Sequence, residues 1–182
     1  MKWIKRIFGT LVVLIVALVG VAFLLPNHAE VSRSIVIAAP PERIFPYLSN
    51  FKKFNEWSPW AKHDPKTQYT FEGPEEGAGQ KMSWKSEHPQ VGSGSQEITA
   101  VDTGKSVDVA LDFGDMGQAK ANYMLEPDGE GTKVTWGFET DLGANPVMRY
   151  MGLMFDSWVG ADYEAGLAAL KKLVESQTDG NG

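Results

Sequence analysis

Nine aromatic side chains, Trp57, Trp60, Trp84, Phe113, Tyr123, Trp136, Phe138, Phe155 and Trp158, fall mostly where the local pattern turns them to one covered side of the chain. Gathered aromatics build either a solid hydrophobic core or the wall of an apolar ligand pocket, and the two use the same residue types. A pocket differs by carrying a few polar groups that orient its occupant. One carboxylate is placed for that role. At about 100° per residue, Phe155, Trp158, Val159, Gly166, Ala169, Leu170 and Leu173 gather on one helix face, and Asp162 falls near the middle of that stripe. Burying an unpaired carboxylate is expensive, so Asp162 needs a partner, a proton or a wet opening. Two roles fit it. It is either a mouth-side residue paired with a basic or hydroxyl group from the sheet, or a polar anchor for a ligand headgroup, which would serve as general acid in an enzyme.

Other chemistries find little support. His28, His63 and His88 show no ligand spacing, and the absence of cysteine removes thiolate sites, so no metal or cofactor is expected. Gly92-Ser93-Gly94-Ser95 reads as a turn and the start of a strand, with no helix behind it to hold a phosphate, and no Gly-x-Ser-x-Gly elbow occurs. The chain carries a net charge of −6; Lys2, Lys5 and Arg6 give residues 1–25 three positive charges, so the remainder stands at −9. An acidic domain without a basic run longer than two residues does not suit a nucleic-acid backbone.

The elements that must position these residues are legible. Val31 to Ile37 is β-branched and reads as a strand, and Ala39-Pro40-Pro41-Glu42 opens a short helix with Pro46 inside it. A second short helix covers 50–57 and ends in Trp57-Ser58-Pro59-Trp60. From Thr67 the period changes to two, predicting strands over 67–72, 80–86, 94–101, 105–113, 118–126 and 132–140. The separators are Gly73-Pro74, Asp102-Thr103-Gly104, Gly114-Asp115-Met116-Gly117 and Asp128-Gly129-Glu130-Gly131, too short for anything but antiparallel neighbours. Asn145 and Pro146 start a long helix whose apolar residues include Met151, Met154, Phe155 and Trp158. Gly152, Gly160 and Gly166 inside it predict a break or a close backbone approach.

Ahead of all this, Ile7 to Leu25 is a run of 19 residues without a charge. As a helix it spans about 28 Å, close to a bilayer's hydrocarbon thickness. Trp3 and the basic residues before it suit the interface and predict a single-pass anchor with the C-terminal domain outside the cytoplasm. The competing reading is a cleaved signal peptide. The run is longer than the usual apolar core of ~7–15 residues, and Pro26-Asn27-His28-Ala29 lacks the small residue expected before a cleavage site. The expected organisation is therefore an anchor at 1–25, a linker at 26–30, a domain at 31–176 and a disordered tail at 177–182.

Several stretches resemble one superfamily. Ile35-Val36-Ile37 with Ala39-Pro40-Pro41-Glu42-Arg43-Ile44-Phe45 resembles the opening strand and helix of the SRPBCC superfamily, which includes START lipid-transfer domains and polyketide cyclases or dehydrases. Phe54-Asn55-Glu56-Trp57-Ser58-Pro59-Trp60, Gly131 to Trp136 and Gly166 to Leu173 resemble its bacterial cyclase-like members. The resemblance implies an α+β helix-grip fold, in which a curved antiparallel sheet of about seven strands is closed by the C-terminal helix around a cavity.

The resulting expectation is a membrane-tethered domain that binds an apolar small molecule, a lipid, isoprenoid or polyketide-like compound. Its cavity would be lined by the nine aromatics with Met151 and Asp162. A cyclase-like enzyme and a non-catalytic interaction domain are the alternatives. The first needs an inward acid or base, and the second an exposed apolar patch.

Overall fold

Turn chemistry and alternation together produce one continuous meander. The computed structural model describes residues 2–177. A helix α1 (Lys2–Ala22) precedes strand β1 (His28–Ile37), and three short helices follow: α2 (Pro41–Leu48), α3 (Phe51–Trp57) and α4 (Pro59–His63). Strands β2 (Gln68–Glu72), β3 (Lys81–Lys85), β4 (Ser93–Asp102), β5 (Ser106–Asp112), β6 (Gln118–Asp128) and β7 (Gly131–Asp141) lead to the long helix α5 (Pro146–Ser176). The seven strands form one antiparallel sheet in the order β1-β7-β6-β5-β4-β3-β2. This is the α+β helix-grip architecture. The expected tail from residue 178 onward lies outside the described residues.

Alternation gives the sheet one covered and one wet face. Val107 and Val109 of β5, Ala119 to Leu125 of β6, and Val134 and Trp136 of β7 turn inward at every second residue. β1 does the same, but its inner face carries a charge, Arg33, between Val31 and Ile35. The strand also begins earlier than expected, because His28 already pairs with Asp141 and the Leu142 amide donates to the Asn27 carbonyl.

One local expectation is corrected, and another is decided between its two alternatives. The string Trp57-Ser58-Pro59-Trp60 does not simply end a helix. Ser58 is both the last flank of α3 and the first of α4, and Pro59 occupies the first turn of α4, where its missing N–H costs nothing. The glycines of α5 do not break it, and the helix runs 31 residues without interruption. Each instead makes room for a large neighbour. A Cβ on Gly152 would collide with Leu142, one on Gly160 with the Arg33 guanidinium, and one on Gly166 would crowd Trp136 and Pro59. The Asn145 side chain accepts from the amides of Val147 and Met148, as its position before Pro146 predicts.

Helix α1 is long and apolar enough to cross a membrane, with none of its apolar window buried in the protein.

Candidate functional site

The inner face of the sheet changes character along its length. At the end nearer the C-terminal half of α5 it is filled. Trp136 on β7 stacks on Tyr163 of α5, with ring centroids 3.7 Å apart and planes 11° from parallel. Trp57, at 5.1 Å and 71°, and Phe54, at 6.0 Å and 88°, meet Trp136 edge-on. Tyr123 lies 5.4 Å from it on the neighbouring strand. Leu167, Leu170 and Val174 complete this packing. Three of the expected lining residues, Trp57, Tyr123 and Trp136, are therefore embedded in an aromatic core. Burial there pushes the hydroxyls of Tyr123 and Tyr163 well above the usual tyrosine range.

At the end nearer the N-terminal half of α5 the same face is built differently. Here β6 carries only Ala119 and Ala121, and β4 carries Gly94, over which the Trp84 ring lies. Around these small residues stand half-buried apolar side chains. Trp84 meets Phe113 at 6.0 Å, and Phe138 of β7 meets Phe155 of α5 at 6.1 Å. Leu111 and Val159 are half buried beside them, and Trp60 reaches back to Trp136 at 5.8 Å. Gln96 sits on this face opposite Leu111, and its Nε2 is buried without a hydrogen-bond partner. The indole Nε1 of Trp136 is likewise unpartnered.

Met151 and Trp158 do not share the buried stripe of α5. That stripe is centred on Tyr163, Gly166, Leu167, Leu170 and Val174, with Phe155 and Val159 at its flank. Both are exposed because the face toward β1 is taken by Asp156, Gly160 and Glu164, which receive Arg33. Arg33 Nε donates to Glu164 at 2.7 Å, and Nη1 to Asp156 at 3.0 Å. Tyr163 and Arg33 were missed from sequence. Tyr163 lies four residues before Leu167 on the apolar stripe, a spacing that marks it as inward.

Asp162 lies on the edge of the stripe, with about a third of its side chain exposed (36%). Its partner comes from α4 and not from the sheet: His63 Nε2 stands 3.7 Å from its Oδ1. His63 stacks in turn on His88, with centroids 6.3 Å apart and planes 8° from parallel. Beside them Asp64 accepts from the Ser86 hydroxyl at 2.5 Å and the Lys66 amide at 2.9 Å, which holds its carboxyl below the usual range. Among the described residues no group of three or more His, Asp or Glu side chains is placed to hold a metal.

Two open concavities lie elsewhere. One, of about 730 Å³, is an open groove across the sheet's wet face, bordered by Glu72, Lys81, Glu97, Asp112, Lys120 and Glu139. Another, of about 450 Å³, follows the first turns of α1. Neither lies between sheet and α5, the position expected for a ligand.

A sequence model of the family "Polyketide cyclase / dehydrase and lipid transport" matches residues 28–175, from the first residue of β1 almost to the end of α5. The chain belongs to this family. Solved structures share its fold at low sequence identity. The di-domain ARO/CYC StfQ from the steffimycin biosynthetic pathway superposes with a TM-score of 0.63 at 12% identity, over 84% of this chain and 52% of that one. SA2116 of Staphylococcus aureus, a protein of unknown function, gives 0.63 at 11% identity over 84% and 96%. Ara h 8.0201 gives 0.54 at 16% identity over 82% and 99%. No curated protein matches the sequence. These likenesses establish the fold, while chemistry must come from the site.

Proposed function

We propose that this family member is a membrane-tethered carrier, anchored by α1, that holds an apolar small molecule with an oxygen acceptor over the inner face of the sheet. The observation that carries the reading is the contrast along that face. One end is packed solid, whereas the other is floored by Ala119, Ala121 and Gly94 and ringed by half-buried Trp84, Leu111, Phe113, Phe138 and Phe155. A large apolar ring around small residues suits an occupant that completes the packing. The buried amide of Gln96 supports an occupant with an acceptor, because buried donors in folded proteins almost always have a partner. Asp162 serves as the polar anchor at the rim, with His63 Nε2 3.7 Å from its carboxylate.

The test is a mass spectrum of the organic extract of full-length protein purified in lipid nanodiscs. Wild type should carry a compound near one-to-one stoichiometry, enriched over the surrounding lipid. Ala119→Phe and Ala121→Phe, which fill the floor, should lose it while unfolding cooperatively. If wild type and both filled variants carry the same background lipid, the carrier reading fails.

The His63–Asp162 pair favours a second reading, an enzyme of the cyclase or dehydrase kind. A histidine whose Nε2 lies 3.7 Å from a carboxylate at the rim is a candidate acid–base group. Turnover of a bound polyketide-like compound that is abolished in His63→Ala would favour it over carriage.

A further inference from the structure

The N-terminal half of α5 carries an apolar strip that the domain leaves uncovered. Val147, Met151, Met154 and Trp158 are 65%, 37%, 47% and 46% exposed. At about 100° per residue the four side chains fall within a sector of roughly 60°. The first four turns of α5 contain only two charges, Arg149 and Asp156, and both point away from this sector. Asp156 faces Arg33. Arg149 closes over the end of α1: its Nη1 donates to the carbonyls of Phe23 and Leu25 at 3.3 Å and reaches that of Ala22 at 3.5 Å. Its guanidinium also stands 5.2 Å from the centroid of the Phe23 ring.

Tyr150 fixes the level. Its hydroxyl donates to the carbonyl of Leu18 at 2.8 Å, one turn before α1 ends. The start of α5 is thereby held beside the last turn of α1, and the exposed strip borders the direction in which Tyr150 points. Phe23 and Leu24, 53% and 84% exposed, extend the apolar surface across the junction.

We propose that the first turns of α5 lie in the membrane–water interface, with Val147, Met151, Met154 and Trp158 among the lipid chains. The inference rests on the reading of α1 as a membrane-spanning anchor. A helix that crosses the bilayer leaves it near Phe23, and the Arg149 and Tyr150 contacts place the strip at that height. An acidic domain gains nothing from anionic headgroups, so the attraction is apolar contact, with Trp158 as an interfacial aromatic. The tether keeps the strip at high effective concentration over the bilayer, so a short apolar patch suffices. Phe155, on the same turns, contacts Phe138 at the ring of half-buried residues, so a lipid-borne compound would pass from bilayer to sheet without crossing bulk water.

The chain has no cysteine, so single cysteines can be placed cleanly in the full-length protein. Met154→Cys and Trp158→Cys probe the strip, Leu14→Cys probes the middle of α1, and Lys120→Cys probes the wet face of the sheet. Each carries a nitroxide label in vesicles of phosphatidylcholine and phosphatidylglycerol. Collision rates with molecular oxygen and with a water-soluble nickel chelate report immersion, and cooperative unfolding checks each variant.

The expected result is a loss of nickel collisions with oxygen collisions retained at 154 and 158, shallower than at 14, and full nickel access at 120. Nickel access at 154 and 158 equal to that at 120, with 14 shielded, overturns the inference and leaves the anchor standing. Loss of both collision types at 154 and 158 with spin–spin broadening also overturns it, since a second copy then covers the strip. Full nickel access at 14 overturns the anchor and the inference together.

Discussion

Tyr163 lies flat on Trp136 at 3.7 Å, and this stack couples α5 to β7, the strand next to the β1 edge of the sheet. Both rings are almost completely buried, and Gly166 one turn further on leaves the space that the Trp136 ring requires. Tyr163→Ala is expected to cost about 3–5 kcal/mol, as for other buried aromatics reduced to alanine. Tyr163→Phe keeps the stack and should cost under about 1.5 kcal/mol. Urea unfolding of the two variants checks both values.

Gly160 matters for a different reason, since the space of its missing side chain holds the guanidinium of Arg33. Gly160→Leu should push Arg33 out of its fork between Asp156 and Glu164 and destabilise by about 1–3 kcal/mol. Arg33→Met in the same background should recover part of that loss, because the displaced charge is gone. A double-mutant cycle measures the coupling.

Acid sensitivity follows from three carboxyls, Asp156 exposed and Asp64 and Glu175 half-buried. Hydrogen bonds from Ser86 hold Asp64 low, Arg33 does so for Asp156, and Lys171 with the Ala38 amide does so for Glu175. Each folded value lies below the unfolded one, 3.8 for aspartate and 4.5 for glutamate, so the added stability is complete above those values. It is lost as pH falls through the lower folded values. The Tm of wild type should drop on acidification below about pH 4, and Asp64→Asn should drop less steeply over the same window. Parallel Tm–pH curves would count against this assignment.

Asp162→Leu and His63→Ala should weaken retention of the bound compound to a similar extent if the pair anchors it. Asp162→Asn, which keeps a polar atom in place, should retain more. Should all three carry as much compound as wild type and differ only in Tm, the pair is a structural contact between α4 and α5.

Most of the fold was readable because strands and turns announce themselves locally. The alternation from Val107 to Phe113 and the separator Asp128-Gly129-Glu130-Gly131 determine pairing and face without tertiary information. Asn145 before Pro146 does the same for the start of α5. The site was less readable because its residues are sorted by long-range contacts. Trp158 and Phe155 look alike in a periodic pattern, yet Phe155 meets Phe138 while Trp158 is exposed. What separates them is Arg33, more than a hundred residues earlier, which draws the Asp156–Gly160–Glu164 face of α5 toward β1 and so sets the rotation of the helix. The glycines were legible as close approaches, but their neighbours, Leu142, Arg33 and Trp136, were not.

The side of β1 that no strand occupies has its own consequence. Three backbone groups on or just after that side are taken by side chains: Arg33 donates to the Ser32 carbonyl, Lys171 to that of Val36, and the Ala38 amide donates to Glu175. An open sheet margin is a template on which another chain can add a strand, and molecules confined to a surface meet often. With this margin partly covered by a salt-bridged helix, and β2 at the opposite margin only five residues long and followed by Gly73-Pro74, the sheet offers little to extend. If α1 confines the protein to a membrane, as proposed, these margins would disfavour strand addition between neighbouring copies. Lys171→Ala combined with Glu175→Ala, which unplugs the margin, would be the variant to watch for fibrous aggregates.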